Sequence, residues 1–408
     1  MAKAGRVRER DLTGFKYVDR LLPMLETLHD VGCGRDRAGN RQLHYDQYCV
    51  LVLLSMFNPV VRSLRAIQQA STLGKVQKRL GCPRTSLGSL SEATTVFDPQ
   101  RLEGIIGELL AEVPRARSIG GDKVPQVLTA VDGSVIKTLA GLAEAAYLKD
   151  KNGDSHRGWR FHTHFEIDRG VPVRMDVTTA YNGGKTDEKN HLRGRLEADR
   201  CYVMDRWYGE FALWNEIVKA KSSYVCRIRD NSNLTDVVEQ RPLSDAAKQA
   251  NVLGDMVVHL GVHSKAAARP DHRTRVVLVQ TTPHKKTGGR KGGTAGPPSD
   301  GIIRIATNLL DVPAEIIADI YKHRWLIELF FRFFKHVLGC RHLISQDPAG
   351  IQIQAYCAII ACLLIHLWTG GRPTLRSFEM ICFYLSGWAD LEELTAHLEK
   401  LAKSKNKT

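Results

Sequence analysis

An α/β fold is predicted: a mixed sheet flanked by helices, interrupted by a β-rich insertion, between all-α N-terminal and C-terminal regions. Three observations predict it. Residues 1–120 place apolar side chains at helical spacing and show no alternating strands. From 121 to 229, apolar or alternating runs and helical runs follow one another in the order β-β-β-α-β-α-β, which suits a mixed sheet with an antiparallel edge. Residues 230–306 are strand-like again, 307–345 return to helix, and 346–408 stay helical to a basic tail.

Composition narrows the function classes. The chain has 408 residues, 43% hydrophobic and 25% charged, enough for a large core and more than one domain. Its 58 Lys and Arg against 44 Asp and Glu leave a net charge of +14, which favours polyanionic partners, nucleic acid above all. Nine scattered cysteines without a CxxC pair argue against a disulfide framework or zinc ribbon and for a reducing cytosol. The apolar run Ala355–Trp368 is short for a membrane span and contains His366, so a buried helix and no membrane partner are expected.

In the N-terminal region, "YDQYCVLVLLSMF" has helical periodicity and breaks at Asn58-Pro59. "TLGKVQKRLG" and "SLGSLSEATTVF" follow, the latter with Ser89 and Glu92 spaced for a capping box. Short helices with basic residues between them resemble a helix-turn-helix array, so this region is expected to bind DNA. "QVLTAVDGSVIK" is a strand expected to break at Asp132-Gly133. "WRFHTHFEI" and "VPVRMDVTTA" alternate and are joined through Asp168-Arg169-Gly170 as a hairpin. His162, His164 and Glu166 share one face of the first of these, read as edge-strand decoration or DNA contact rather than a metal site. A polar helix, "KTDEKNHLRGRLEA", opens with Thr186, Asp187 and Glu188, placed to cap it, the two acids complementing its dipole; the lesser alternative for them is support of a nearby metal site. "CYVMD" is a strand ending in Asp205, "WYGEFALWNEIVKA" a helix and "SYVCRIR" a strand. In the insertion, "DMVVHLGV", "TRVVLVQTT" and "GIIRIATNL" are strands. The Gly- and Lys/Arg-rich stretch containing Lys285, Lys286, Arg290 and Lys291 is a loop expected to order on phosphates.

The helix "YKHRWLIELFFRFFK" carries the chemistry. At about 100° per residue, Tyr321, Arg324, Glu328 and Lys335 fall within an arc of about 60°, with Arg332 beside them, while the rest of the circumference is apolar. Such a stripe is either a solvated row of Arg–Glu pairs or a carboxylate flanked by phosphate-binding cations. Metal-assisted phosphoryl transfer needs two or three acidic groups around a pair of divalent ions, and oxygen donors suit Mg²⁺ or Mn²⁺. Acids at the ends of buried strands are the natural partners, and Asp132 and Asp205 are such acids; the plainer role for each is turn former or helix cap.

The spacing Y-x2-R-x3-E-x6-K, together with Asp in "TAVDGS" and Asp in "YVMDRW", resembles the DDE transposases of bacterial insertion sequences, in the branch with a Tyr-Arg-Glu-Lys signature and a β-strand insertion. The resemblance spans roughly residues 45–370 and implies a ribonuclease H-like core. Carried over by position, it implies that Asp132, Asp205 and Glu328 hold two Mg²⁺ (or Mn²⁺) ions. Arg324 and Lys335 would hold phosphates, with Tyr321 on the same DNA and Arg332 adjoining. The implied activity is nicking at transposon ends and joining of a 3′-hydroxyl to target DNA. The implied partners are double-stranded DNA, as terminal inverted repeats and target, and a second copy of the chain in that complex, in the bacterial cytoplasm at the nucleoid. Relatives use an indole from the insertion on a flipped base, but the tryptophans here stand at 159, 207, 214, 325, 368 and 388. Trp207 or Trp325 would then take that role, or strand release does without a hairpin. The alternatives are another ribonuclease H-like nuclease or resolvase, and a transposase-derived DNA-binding protein without catalysis.

Overall fold

In a computed structural model, the described residues are 16–29, 42–58, 60–115, 119–138, 146–149, 155–180, 187–262, 268–281, 300–385 and 387–405. The N-terminal region folds as α1 (Lys16–Glu26), α2 (Tyr45–Phe57), α3 (Leu64–Ala70), α4 (Gly74–Leu80), α5 (Leu87–Val96) and α6 (Leu102–Glu112). The capping box expected at Ser89 and Glu92 is not the cap. Ser86 offers the same hydroxyl one turn earlier and accepts the Ser89 N–H at 3.0 Å, so both residues lie inside α5.

The sheet follows as β1 (Val127–Thr138), β2 (Ala146–Lys149), β3 (Ser155–Glu166) and β4 (Val171–Thr179), then α7 (Glu188–Arg193), β5 (Arg200–Met204), α8 (Phe211–Lys219) and β6 (Ser223–Arg227). Next come β7 (Val237–Gln240), α9 (Asp245–Gln249), β8 (Val252–Val258), β9 (Thr274–Gln280) and β10 (Ile302–Thr307). The chain closes with α10 (Ala314–His323), α11 (Trp325–Arg332), a π-helical turn (Phe333–Val337), α12 (Pro348–Thr369), α13 (Leu375–Leu385) and α14 (Leu391–Lys405).

The described strands form one ten-stranded sheet, ordered β2-β3-β1-β5-β6-β10-β9-β8-β7, with β4 also on β3. Within it, β4, β3 and β1 are antiparallel neighbours, whereas β1, β5 and β6 run parallel. That is the ribonuclease H-like arrangement. The remaining strands extend it antiparallel from β6 through β10, so the strands after residue 230 continue the central sheet rather than folding apart from it.

The structure corrects two strand readings. β1 does not break at Asp132-Gly133, because its pairing with β3 runs on through Asp132↔Thr163 and Gly133↔His162. Nor is β3 an edge: β1 covers one side and β2 and β4 the other, so His162, His164 and Glu166 are buried. His162 meets Thr178 Oγ1 at 2.8 Å and stacks on His191 of α7, 4.1 Å between centroids. DNA contact or surface decoration is ruled out for them by that burial.

Helix α12 is the spine of the main core. At 22 residues it is longer than its sequence run implied, and long and apolar enough to cross a membrane by composition, yet nearly all of it is buried in the protein. It packs on α2, α6 and β4. Gln352 also satisfies the open edge of β4, accepting from Val177 N–H at 2.8 Å and donating to Met175 C=O at 2.7 Å. A second cluster fills the other sheet face, where Leu192 of α7 and Leu213, Trp214 and Ile217 of α8 cover Tyr202, Met204 and Tyr224. The eight described cysteines are all free and buried.

Candidate active site

Strand register brings the two aspartates together. The parallel pairing of β1 with β5 ends at Ala130↔Val203. Asp132 and Asp205 each stand two residues beyond that pair, so the alternation of strand side chains gives both the same sheet face. Leu128 and Ala130 on β1, like Cys201 and Val203 on β5, point into the main core, which α10 and α11 also line. Past the last paired residues β1 and β5 part, and the carboxylates occupy the opening.

Helix α11 lies across that face, against β1 and β4. Phe330 and Phe334 anchor it on Phe165 and Phe161 of β3, at 5.9 and 5.3 Å between ring centroids. This seating sets Glu328 above Asp132, with Arg324 between them. The Arg324 guanidinium donates to Glu328 Oε1 at 2.6 Å and stands 3.8 Å from Asp132 Oδ2. It is mostly buried and lies 5.9 Å from the Tyr321 ring.

The stripe does not follow one straight α-helix. The helix tightens at Arg324, whose carbonyl accepts from Ile327 N–H, and widens into the π turn from Phe333. Lys335 therefore turns to β1, where its ammonium donates to Val135 C=O at 3.1 Å, and partial burial lowers its pKa. Arg332 faces solvent over the exposed Trp325 ring at 5.7 Å. Asp205 takes the plainer of its two expected roles as well: its carboxylate accepts the Trp207 N–H at 2.8 Å and caps the short turn Arg206–Tyr208. Trp207 is exposed, with the Lys189 ammonium 5.5 Å from its ring. Lys285, Lys286, Arg290 and Lys291 lie outside the described residues.

The carboxylates feel one another. Burial and then repulsion by Asp205 push the Asp132 carboxyl up to about 7, against the pull of Arg324 and a 2.8 Å hydrogen bond from the Gly133 N–H. Burial does most of this, because it disfavours the charged form, and the neighbouring carboxylate adds to it. The donor set is all oxygen, the kind that suits Mg²⁺ or Mn²⁺, and an added divalent ion would relieve this repulsion. Among the described residues, however, no three Asp, Glu, His or Cys side chains are drawn close enough to hold an ion. Arg324 fills the gap between Asp132 and Glu328, and the carboxylate of Asp205 is turned toward its cap.

A family model described as "Transposase DDE domain" matches residues 124–364. The chain belongs to that transposase family. The matched span begins just before β1 and ends within α12, so it holds Asp132, Asp205 and Glu328 together. A Sinorhizobium fredii protein named as transposase y4zB is 28% identical over 218 residues, 53% of this chain and 55% of its own length. A Geobacillus stearothermophilus protein named as a transposase for insertion sequence element IS5377 is 29% identical over 209 residues, 51% of this chain and 48% of that one. The chain thus spans about half the length of the curated relatives it matches. A solved piggyBac transposase synaptic complex with hairpin DNA aligns over 95% of this chain and 80% of its own, at 10% identity and a TM-score of 0.40, too low to carry an argument.

The sequence reading took Asp187 and Glu188 chiefly as caps of α7, with support of the metal site as the lesser alternative. Asp187 caps α7 as expected, but Glu188 turns inward and stands 3.4 Å from Arg160 of β3. Tyr208 is buried beside it, its phenol raised first by burial and then by Glu188, Asp132 and Asp205. The available signal was Gly133: an isolated glycine inside a strand marks close approach of another group, and here it was read as a break.

Proposed function

We propose that this chain is a DNA transposase that nicks transposon ends and joins the resulting 3′-hydroxyl to target DNA, with Asp132, Asp205 and Glu328 holding two Mg²⁺ or Mn²⁺ ions. The observation that carries the reading is the convergence of three acids from separate elements of a transposase DDE domain. Asp132 and Glu328 share one guanidinium, and Asp205 repels Asp132. When bound, the ions supply an activated nucleophile and neutralise charge on the leaving oxygen. The protein's own part is positional. The phenylalanine anchor seats α11, and thereby Glu328, on β3 beside β1, while the end of the β1–β5 pairing before Asp132 and Asp205 leaves both half-exposed. Tyr321, Arg324, Glu328 and Lys335 are read as the Tyr-Arg-Glu-Lys signature. In this reading, Arg324 and Lys335 bind phosphate, Tyr321, Arg332 and Trp207 lie along the DNA, and the basic 285–291 segment reinforces it. The region 1–120 contacts terminal repeats, and two copies act together on paired ends in the bacterial cytoplasm.

The test is cleavage of a terminal inverted repeat with Mg²⁺. Asp132→Asn, Asp205→Asn and Glu328→Gln should each lower nicking by at least ~10²-fold while leaving DNA binding in place. Undiminished nicking by Glu328→Gln would remove that residue from the centre. Undiminished nicking by all three would place the nuclease elsewhere on the chain, and DNA binding without nicking by the wild type would leave a DNA-binding protein.

A further inference from the structure

We propose that Arg227, a residue outside the signature, grips a backbone phosphate of the DNA strand held at this centre. The inference rests on the reading above and adds a phosphate-binding side chain to it.

Strand register places the residue. The parallel pairing of β1, β5 and β6 sets Ala130, Val203 and Val225 abreast. All three point into the main core, whereas Cys226, one step on, points to the other face. Two residues beyond that row stand Asp132, Asp205 and Arg227, which the alternation of strand side chains turns to the core face again. Ile305, paired with Arg227 from β10, belongs to the same core. Three neighbouring strands, about 4.8 Å apart, thus carry two acids and then a cation along one edge of the site.

Helix α10 closes the group from above. Its last turn brings Tyr321 within electrostatic reach of Arg227: burial raises the phenol, and Arg324 and then Arg227 draw it back down. The two guanidiniums are differently employed. Arg324 is held by Glu328 and faces Asp132, so its charge is already balanced. Arg227 is partly exposed, and its ion pair is with Asp230, at 3.2 Å in the turn after β6. Its buried Nε has no acceptor among the described residues. Buried donors are normally paired, so this guanidinium is short of an acceptor. A phosphate supplies several, in a geometry that matches the guanidinium fork. Beside Asp132 and Asp205, a phosphate also needs a cation to offset their repulsion.

The plainer role for Arg227 is counter-ion to Asp230, three residues on. That pair accounts for one donor, and such half-exposed pairs contribute little. It does not account for a cation in register with the acids and next to Tyr321.

The experiment measures binding and nicking of a terminal-inverted-repeat duplex by the full-length protein over a range of salt. Arg227→Gln should weaken binding by roughly 10-fold and flatten the dependence of log Kd on log salt by about one. Arg227→Lys keeps the charge and should keep the salt slope, but without the fork it should bind less tightly than the wild type. Asp230→Asn removes the counter-ion alone and should bind at least as well as the wild type. A methylphosphonate then replaces each phosphate near the cleavage site in turn. One neutral linkage should weaken the wild type and leave Arg227→Gln unaffected, marking the phosphate that Arg227 holds. If Asp230→Asn loses as much binding as Arg227→Gln, the ion pair is what matters and the proposal falls. It falls too if Arg227→Gln keeps the wild-type salt slope and no neutral linkage distinguishes it from the wild type. If Glu328→Gln abolishes nicking while Arg227→Gln binds and nicks normally, this inference fails and the proposed centre stands. If the wild type neither binds nor nicks the duplex, both fail.

Discussion

Arg324 is the residue on which the candidate site turns. Its guanidinium sits where a cation between Asp132 and Glu328 would sit, so it balances their charge and competes with any ion that would join them. Replacing it with glutamine should tighten Mn²⁺ binding at neutral pH while reducing affinity for DNA. Weaker Mn²⁺ binding would mean that Arg324 assembles the carboxylates instead of competing for them. The buried histidines make a separate prediction. Burial is the main reason that the pKa values of His162 and His164 are lowered to about 3, with His191 and Arg160 working in the same direction on His162 and Asp176 against it. In the unfolded chain each takes a proton near pH 6.5, whereas the folded protein refuses it until about 3. Stability is therefore full above pH 6.5 and is lost as pH falls, by about 1.4 kcal/mol per pH unit for each histidine. Denaturant unfolding at pH 7.5, 6.0 and 5.0 should show that decline, and His162→Gln should flatten it.

Among the elements, α11 and the start of α12 set the tolerances. Glu328 reaches Asp132 because Phe330 and Phe334 seat α11 on β3, and because the chain tightens before Trp325 and widens after Arg332. A uniform helix would carry Lys335 along the same line as Arg324; the π turn sends it to Val135 instead. The first turn of α12 is equally close-fitting. A Cβ on Gly350 would lie 2.5 Å from Thr94 Cγ2 of α5 and 2.6 Å from Ser345 Cβ. Gly350→Ala should therefore destabilise the protein by about 1–3 kcal/mol, despite alanine's better helix propensity. A rise in melting temperature would show that the α5–α12 contact can relax.

Across the whole molecule, one buried ion pair ties the outer strands to the segment that leads into α10, the helix before the one that bears Glu328. Arg275 of β9 is bidentate to Asp255 of β8, both bonds at 2.7 Å, and its remaining donors reach the carbonyls of Leu309, Leu310 and Val312 just before α10. Removing the arginine would leave Asp255 charged and unpaired in the interior, so Arg275→Met should cost about 3–5 kcal/mol. If the seam also positions α11, nicking by the remaining folded protein should fall with it; unchanged stability would mean that water replaces the guanidinium.

Much of this protein was legible from local pattern. Periodicity distinguishes the helical ends from the sheet, because it depends only on neighbours along the chain, and the three candidate acids stand in short windows that strand ends, helical spacing and a family resemblance single out. Contacts between distant segments are a different matter. Asp132 read as a strand end, yet it lies mid-strand because β3 pairs past it; what ends there is the pairing with β5. His162 and His164 read as edge residues because the hairpin shows only the β4 neighbour, and nothing local reveals that β1 pairs along the other side of β3. Arg324 read as a phosphate ligand, and nothing local shows that the fold also sets it between two carboxylates. Glu188 read as a cap until the missing Cβ of Gly133, 55 positions earlier in the chain, left room for it beside Asp132. The sequence by itself determined which elements form and which residues can do the chemistry. Only the tertiary structure decided which charges face one another, because strand register and helix seating are set by pairing and packing between segments that carry no local mark of their partners.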